Sequence, residues 1–184
     1  MTDVKDIDRP VKLGNSQMGW ASDVAAEMLR RMGIKYLSMN PGASYRGFHD
    51  SIVNYLGNTD PEMLLCLHED HVVHIAQGYA KATGKVGTVL VTSGPGATNT
   101  VTGIADAMLD SVPIVVFTGQ VSVPLIGGDA FQEVDTMGVT RSVTKHSFQV
   151  RSAADLAPTI KAAYHIARTG RPGPVVVDLP KDIL

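Results

Sequence analysis

Residues 68–74, HEDHVVH, gather one Glu, one Asp and three His within a few positions. That composition admits three chemistries. Glu69 is a general acid or base, one ligand of a metal, or the first charged residue of a helix. A zinc helix of the HExxH kind needs histidines four apart, but the residue four after His68 is Val72. His71 and His74 share a helical face only with each other, and His68 precedes the helix. Capping or solvated histidines are therefore expected, and no metal ligands are assigned. For Glu69 two influences oppose. The first turn of a helix favours a negative charge, whereas burial at the end of the apolar run MLLCL would raise its pKa and suit it to proton transfer. The residues alone leave capping and catalysis balanced.

Three other stretches have the makings of a site. TSGPGATN (92–99) has glycines that let a ligand approach the backbone, with Pro95 opening a helix whose amides could face an acceptor. It lacks the Lys of a phosphate-binding P-loop and the spacing of a dinucleotide fingerprint, so a ligand loop and a tight structural turn both remain open. GGDAFQEVD (127–135) carries Asp129, Phe131, Gln132 and Glu133 without periodicity, as a functional lid or an interface loop would. GRPGPVVVDLPKD (170–182) reads as structural, with Gly and Pro leading into a last buried strand.

The elements that must position these residues alternate. Helical patterns over 20–32, 44–56, 69–82, 96–109 and 153–168 separate apolar runs at 34–39, 63–67, 86–91, 112–118, 143–150 and 174–178. In the first helix Val24, Met28 and Leu29 are expected on one face, with Gly33 at its C-cap. The pattern predicts an α/β, doubly wound, mostly parallel six-stranded sheet with helices on both faces. Ligands of such sheets bind at the carboxyl ends of the strands. NPGAS, HED, TSGPGATN and TGQV each follow one of the first four strands, and this clustering says more than any of them singly. Residues 1–18 are polar and aperiodic, and are expected to form a flexible arm before a domain over 19–184.

Composition narrows the function. The 184 residues suit one domain, and a net charge of −2 gives no footprint for nucleic acid. Cys66 is the only cysteine, so no internal disulfide or thiolate zinc cage is expected, and a reducing compartment fits. No apolar run spans a bilayer and MTDVKDIDRP does not read as a signal peptide, so a cytoplasmic protein without membrane contact is expected.

TSGPGATNTVTGIADAMLDSVPIVVFTGQV, LIGGDAFQEVDTMGVTRSVTKHSFQV and TGRPGPVVVDLPKDI together resemble the N-terminal, pyrimidine-binding domain of thiamin-diphosphate enzymes, acetolactate synthase above all. The resemblance covers about residues 20–184 and is most specific from 83 onward. It implies the thiamin-diphosphate-binding fold and a role for Glu69. Glu69 would hydrogen-bond the aminopyrimidine N1′ and favour the imino tautomer that deprotonates the thiazolium ring; the resulting ylide would add to a 2-keto acid, with decarboxylation and C–C bond formation in the full enzyme. It also implies that Gly42, Ala43 and Ser44 line the pyrimidine, with Pro95 and Asn99 nearby, and that Phe131 and Gln132 lie close to the substrate. The family pattern at the first strand is nearer YPGGA than NPGAS, and residues 18–58 look more like another branch of these enzymes, so a recombined chain joined near KATGK is one expectation. No GDG followed at a distance by Asn occurs, and the chain stops where the first domain of such enzymes stops. The resemblance thus implies half a site: an isolated domain with little or no activity alone, self-associating, and needing a diphosphate-binding domain or chain to hold magnesium. The alternatives are a non-catalytic assembly module and a 2-keto acid decarboxylase-type half.

Overall fold

The computed structural model describes residues 16–184; the expected arm over 1–18 lies mostly outside the described residues. Six strands form one sheet: β1 Tyr36–Met39, β2 Glu62–Leu65, β3 Gly87–Val91, β4 Ile114–Gln120, β5 His146–Gln149 and β6 Val175–Pro180. Their order is β2-β1-β3-β4-β6-β5, and every pairing is parallel. The doubly wound reading holds.

Among the described residues seven α-helices accompany the strands, the first before β1 and the rest between strands: α1 Ala21–Arg31, α2 Arg46–Asp50, α3 Glu69–Thr83, α4 Pro95–Asn99, α5 Val101–Leu109, α6 Thr136–Thr140 and α7 Leu156–Arg168. Strand residues alternate between two cores. Leu90, Val115, Phe117, Val175 and Val177 pack with residues of α1, α2 and α7, whereas Val89, Val91, Ile114, Val116 and Val176 pack with those of α3 and α5. The period of two sends neighbours to opposite faces, and each face needs its own helices.

The helix expected over 96–109 is two, α4 and α5, meeting at Thr100, whose buried hydroxyl bonds the Ala97 carbonyl at 2.6 Å. The segment expected as one helix over 44–56 is a 3₁₀ turn at Ala43–Tyr45, then α2, then a π turn at Ser51–Tyr55. In α1 the expected face is displaced. Leu29 is buried with Ser22, Ala25 and Ala26, and Val24 is exposed, because small residues let α1 lie close to its neighbours. Gly33 follows with φ +71°, the left-handed conformation that favours glycine after a helix.

The connections out of β1 and β3 leave toward opposite faces, through α2 and α5 respectively, although the two strands are paired neighbours. That is the topological switch point, where the loops part and leave a crevice.

Candidate functional site

Three loops meet at the carboxyl end of this crevice: 40–44 after β1, 66–68 after β2 and 92–94 after β3. The first and third are tied by one hydroxyl. Ser44 Oγ accepts from the Ser93 amide at 2.9 Å and shares a 2.8 Å hydrogen bond with Thr92 Oγ1. Neighbouring glycines permit this closeness, since a methyl group on Gly42 would overlap Thr92 and one on Gly119 would overlap Ser44. Ala43 is exposed and has no positive φ, so its departure from the family's second glycine carries no backbone strain.

Glu69 is the first residue of α3. His68 caps that helix, its Nδ1 accepting from the Asp70 amide at 3.1 Å. His74 lies 3.3 Å from Asp70 on the helix surface, where a histidine serves as a solvated partner of a carboxylate. Glu69 itself is buried, at 7% exposure. One carboxylate oxygen, Oε2, accepts from Asn99 Nδ2 at 3.0 Å. The other, Oε1, faces Gly96, where a methyl group would come within 3.4 Å of it and within 2.6 Å of Thr92 Cγ2. Burial pushes the Glu69 pKa up, but hydrogen bonds from Asn99, its own amide and Asn40, with the nearby His68, outweigh it and hold the pKa below the ordinary value of 4.5. Glu69 is a desolvated carboxylate, ionised at neutral pH.

The apolar run MLLCL does not bury Glu69 as its composition predicts. β2 is an edge strand, and Leu65 and Leu67 of the apolar run are exposed at 61% and 92%. Glu69 is buried instead against Asn40 after β1 and Gly96 and Asn99 of α4, a proximity that sequence spacing does not reveal.

The structure brings Glu69, Asn99, Gly96 and Asn40 together, with Gly42, Ala43 and Ser44 in the adjoining wall. Asn40 was missed as a single residue, although it opens the NPGAS stretch. Pro95 is exposed at the start of α4. Gly94, with φ +56°, packs flat against the Gln132 backbone, so the 127–135 loop covers the TSGPG turn. That loop is ordered by its own acid: Glu133 accepts from the Ala130 amide at 3.0 Å and from the Gly127 amide. These two amides are the main cause of its lowered pKa. Gln132 thus meets the rim through its backbone, and Phe131, 87% exposed, points away from the protein.

A second buried carboxylate supports the same end of the sheet. Asp178 on β6 is fully buried and accepts from Thr118 Oγ1 at 2.6 Å and from Gln120 and Gln149 Nε2 at 3.1 Å each. Burial pushes its pKa up, and these hydrogen bonds only partly oppose it. The signal was legible, because Asp178 is the lone acid in VVVDLP.

A buried, ionised carboxylate at the switch point of a parallel sheet, with Gly96 beside it, defines an α/β domain that presents a hydrogen-bond acceptor to an N–H donor at its strand ends. Residues 20–139 match the family described as thiamine pyrophosphate enzyme, N-terminal TPP binding domain, and the chain belongs to it. It is 49% identical to the acetolactate synthase large subunit of Lactococcus lactis over 175 residues, which cover 95% of this chain and 30% of that protein. It is 53% identical to the large subunit from Haemophilus influenzae over 88% of this chain and 28% of that one, and 52% identical to the isozyme 3 large subunit of Escherichia coli over 86% and 28%. The chain therefore spans about 30% of the length of these relatives. No helix among the described residues is long and apolar enough to cross a membrane.

Proposed function

We propose that this domain binds the aminopyrimidine end of thiamin diphosphate in the β1–β3 crevice and, within an acetolactate synthase-type enzyme, serves the decarboxylation of a 2-keto acid and C–C bond formation. The observation that carries this reading is the Glu69 carboxylate: buried, ionised, and held by Asn99 through one oxygen while the other faces Gly96. The donor set fits a flat nitrogen heterocycle, which needs a strong acceptor at its edge and little bulk over its face. Bound there, the cofactor supplies the electron sink for decarboxylation.

The chain's own residues do the rest. Glu69 holds and returns a proton at the pyrimidine ring nitrogen, with burial strengthening that hydrogen bond. Asn99 and Asn40 fix its orientation. Gly42, Ala43 and Ser44 form one wall and Gly96, beside Pro95, the other. Phe131 and Gln132 reach the substrate from a loop that a neighbouring domain or subunit presses inward. Exposed Leu65, Leu67 and Phe131 are apolar side chains that a partner covers, which supports self-association and docking of a diphosphate-binding domain that holds magnesium. The setting is cytoplasmic.

Titration with thiamin diphosphate and magnesium, with and without a diphosphate-domain partner, tests this. With the partner, pyruvate turnover is expected, and Glu69→Gln abolishes it without unfolding the domain. Hydrogen exchange should show α3 protected by the cofactor in the native chain and not in Glu69→Gln. Activity retained by Glu69→Gln removes Glu69 from its role, and magnesium-dependent turnover by the chain alone overturns the half-site reading.

A further inference from the structure

At the opposite end of the strands from Glu69 lies a cavity. It has a volume of about 880 Å³ and is bounded by the C-terminal end of α1, the lead-ins to β1 and β3, Tyr79 of α3 and one face of α7. Small-molecule pockets span about 300–1,000 Å³, so it has room for a ligand of nucleotide size. Lys35, Lys85, Lys161 and Arg168 line it together with His165, and no carboxylate does.

These cations are unspent. Arg30, Arg31 and Lys81 each reach a carboxylate within 2.8 Å, whereas none of the cavity's Lys and Arg side chains makes an ion pair or hydrogen bond among the described residues. Cations near helix ends also complement exposed carbonyls, and α1, α3 and α7 all end here. Each helix end is equivalent to about −0.5 of a charge, so the three ends offset only about 1.5 of the four full positive charges. A surplus of positive potential remains, in a concave site whose walls focus it.

The body of the cavity is apolar and aromatic. Ile34, Val86 and Ala162 are partly buried there, and the Tyr164 hydroxyl is turned inward to Thr88 Oγ1 at 2.7 Å. Along α7, Pro158, Lys161, Ala162 and His165 form a stripe at helical spacing, separate from the stripe of Leu156, Ile160, Ala163 and Ala167 that packs on the sheet. This helix therefore presents a second face to the cavity, apart from the one that packs on the sheet.

We propose that this cavity is a ligand site for an organic anion of nucleotide size, with a flat or apolar body against Tyr79, Ile34 and Val86 and two or more negative charges set among Lys35, Lys85, Lys161 and Arg168. It is separated from Glu69 by the length of the central strands, about 15 Å at 3.3 Å per residue. Its occupancy does not depend on the cofactor reading.

Calorimetric titration of the chain with ADP, pyrophosphate and adenosine separates the two ingredients. ADP binds saturably, pyrophosphate more weakly for lack of a body, and adenosine not measurably. The double substitution Lys161→Gln/Arg168→Gln, at two exposed positions, weakens ADP at least tenfold, about 1.4 kcal/mol, while the circular dichroism spectrum stays unchanged. Lys35→Gln/Lys85→Gln, on the strand lead-ins, repeats the test with the α7 face intact. Glu69→Gln leaves ADP affinity unaltered, which keeps this outcome separate from the fate of the cofactor site. Absence of saturable ADP binding, equal affinity for adenosine, binding that survives both double substitutions, or binding lost in Glu69→Gln overturns the proposal.

Discussion

Asn99→Asp tests how the crevice keeps Glu69 ionised. In the native chain the Asn99 amide donates to Glu69 Oε2 at 3.0 Å. An aspartate there places an oxygen where a donor was. Two unit charges 3 Å apart repel by about 5 kcal/mol at an effective dielectric of 20. Asn99 is exposed, so the new carboxylate swings toward water and most of that energy is screened, leaving about 1–3 kcal/mol together with the lost hydrogen bond. The sign with pH is definite. The folded pKa of native Glu69 lies below 4.5, so its contribution to stability is present above the unfolded value and is lost as pH falls through the folded one. In Asn99→Asp the pair's folded pKa rises, so the substitution destabilises at neutral pH and the deficit shrinks on acidification. Urea unfolding followed by circular dichroism at pH 7 and near pH 4.5 reads this directly, with Glu69→Gln as the second edge of a double-mutant cycle. A deficit that persists at low pH, or that is as large in the Glu69→Gln background, refutes the account of Glu69 given above.

Asp178→Ala strands the donors of Thr118, Gln120 and Gln149 in a fully buried site and is expected to cost about 3–5 kcal/mol in denaturant unfolding, at about 1–3 per unmet group less relaxation. Asp178→Asn is expected within about 1 kcal/mol of native at pH 7, because its amide oxygen can accept from both Gln side chains while Thr118 turns its hydroxyl to accept. Since burial raises the Asp178 pKa, native stability relative to Asp178→Asn grows as pH falls and is lost as pH rises through the folded pKa. Gly94→Ala combines a positive φ with overlap on the Gln132 backbone, and Glu133→Ala removes the acceptor that closes the 127–135 loop. Both should speed limited proteolysis within that loop while leaving the unfolding free energy within about 1 kcal/mol of native, and an unchanged cleavage rate would show that neither contact holds it.

The fold was legible because its signal is local. VVV, GTVLV and IVVF read as strands from β-branched runs, and α3 and α7 from their period and breakers, so six strands and their alternation with helices could be counted in advance. Strand order was not legible, and the error over β2 follows from that. MLLCL is as apolar as a central strand, yet it lies at the sheet edge with two leucines exposed, and composition alone does not say which strands lie in the middle. The break at Thr100 and the turns around α2 escaped for a different reason. They fall among Gly, Thr, Asn, Ser and Val, whose helical preference is low, inside an apolar period that reads as continuous helix.

The two clusters at opposite ends of the sheet differ in how sequence could have found them. Asn40 and Glu69 follow β1 and β2 closely and Asn99 ends α4, the short helix after β3, so recognising the switch point places all three within reach. Lys35, Lys85, Lys161 and Arg168 carry no motif. They come from two strand lead-ins and one helix face, and a net charge of −2 averages them away. Only the parallel topology gathers them, because each right-handed crossover returns its helix end to the same floor from which the next strand starts. A parallel domain thus concentrates strand-end chemistry on one rim and cations near helix ends on the other. At the first, hydrogen bonds outweigh burial and keep a carboxylate charged; at the second, full charges outweigh the helix dipoles and keep the cavity positive.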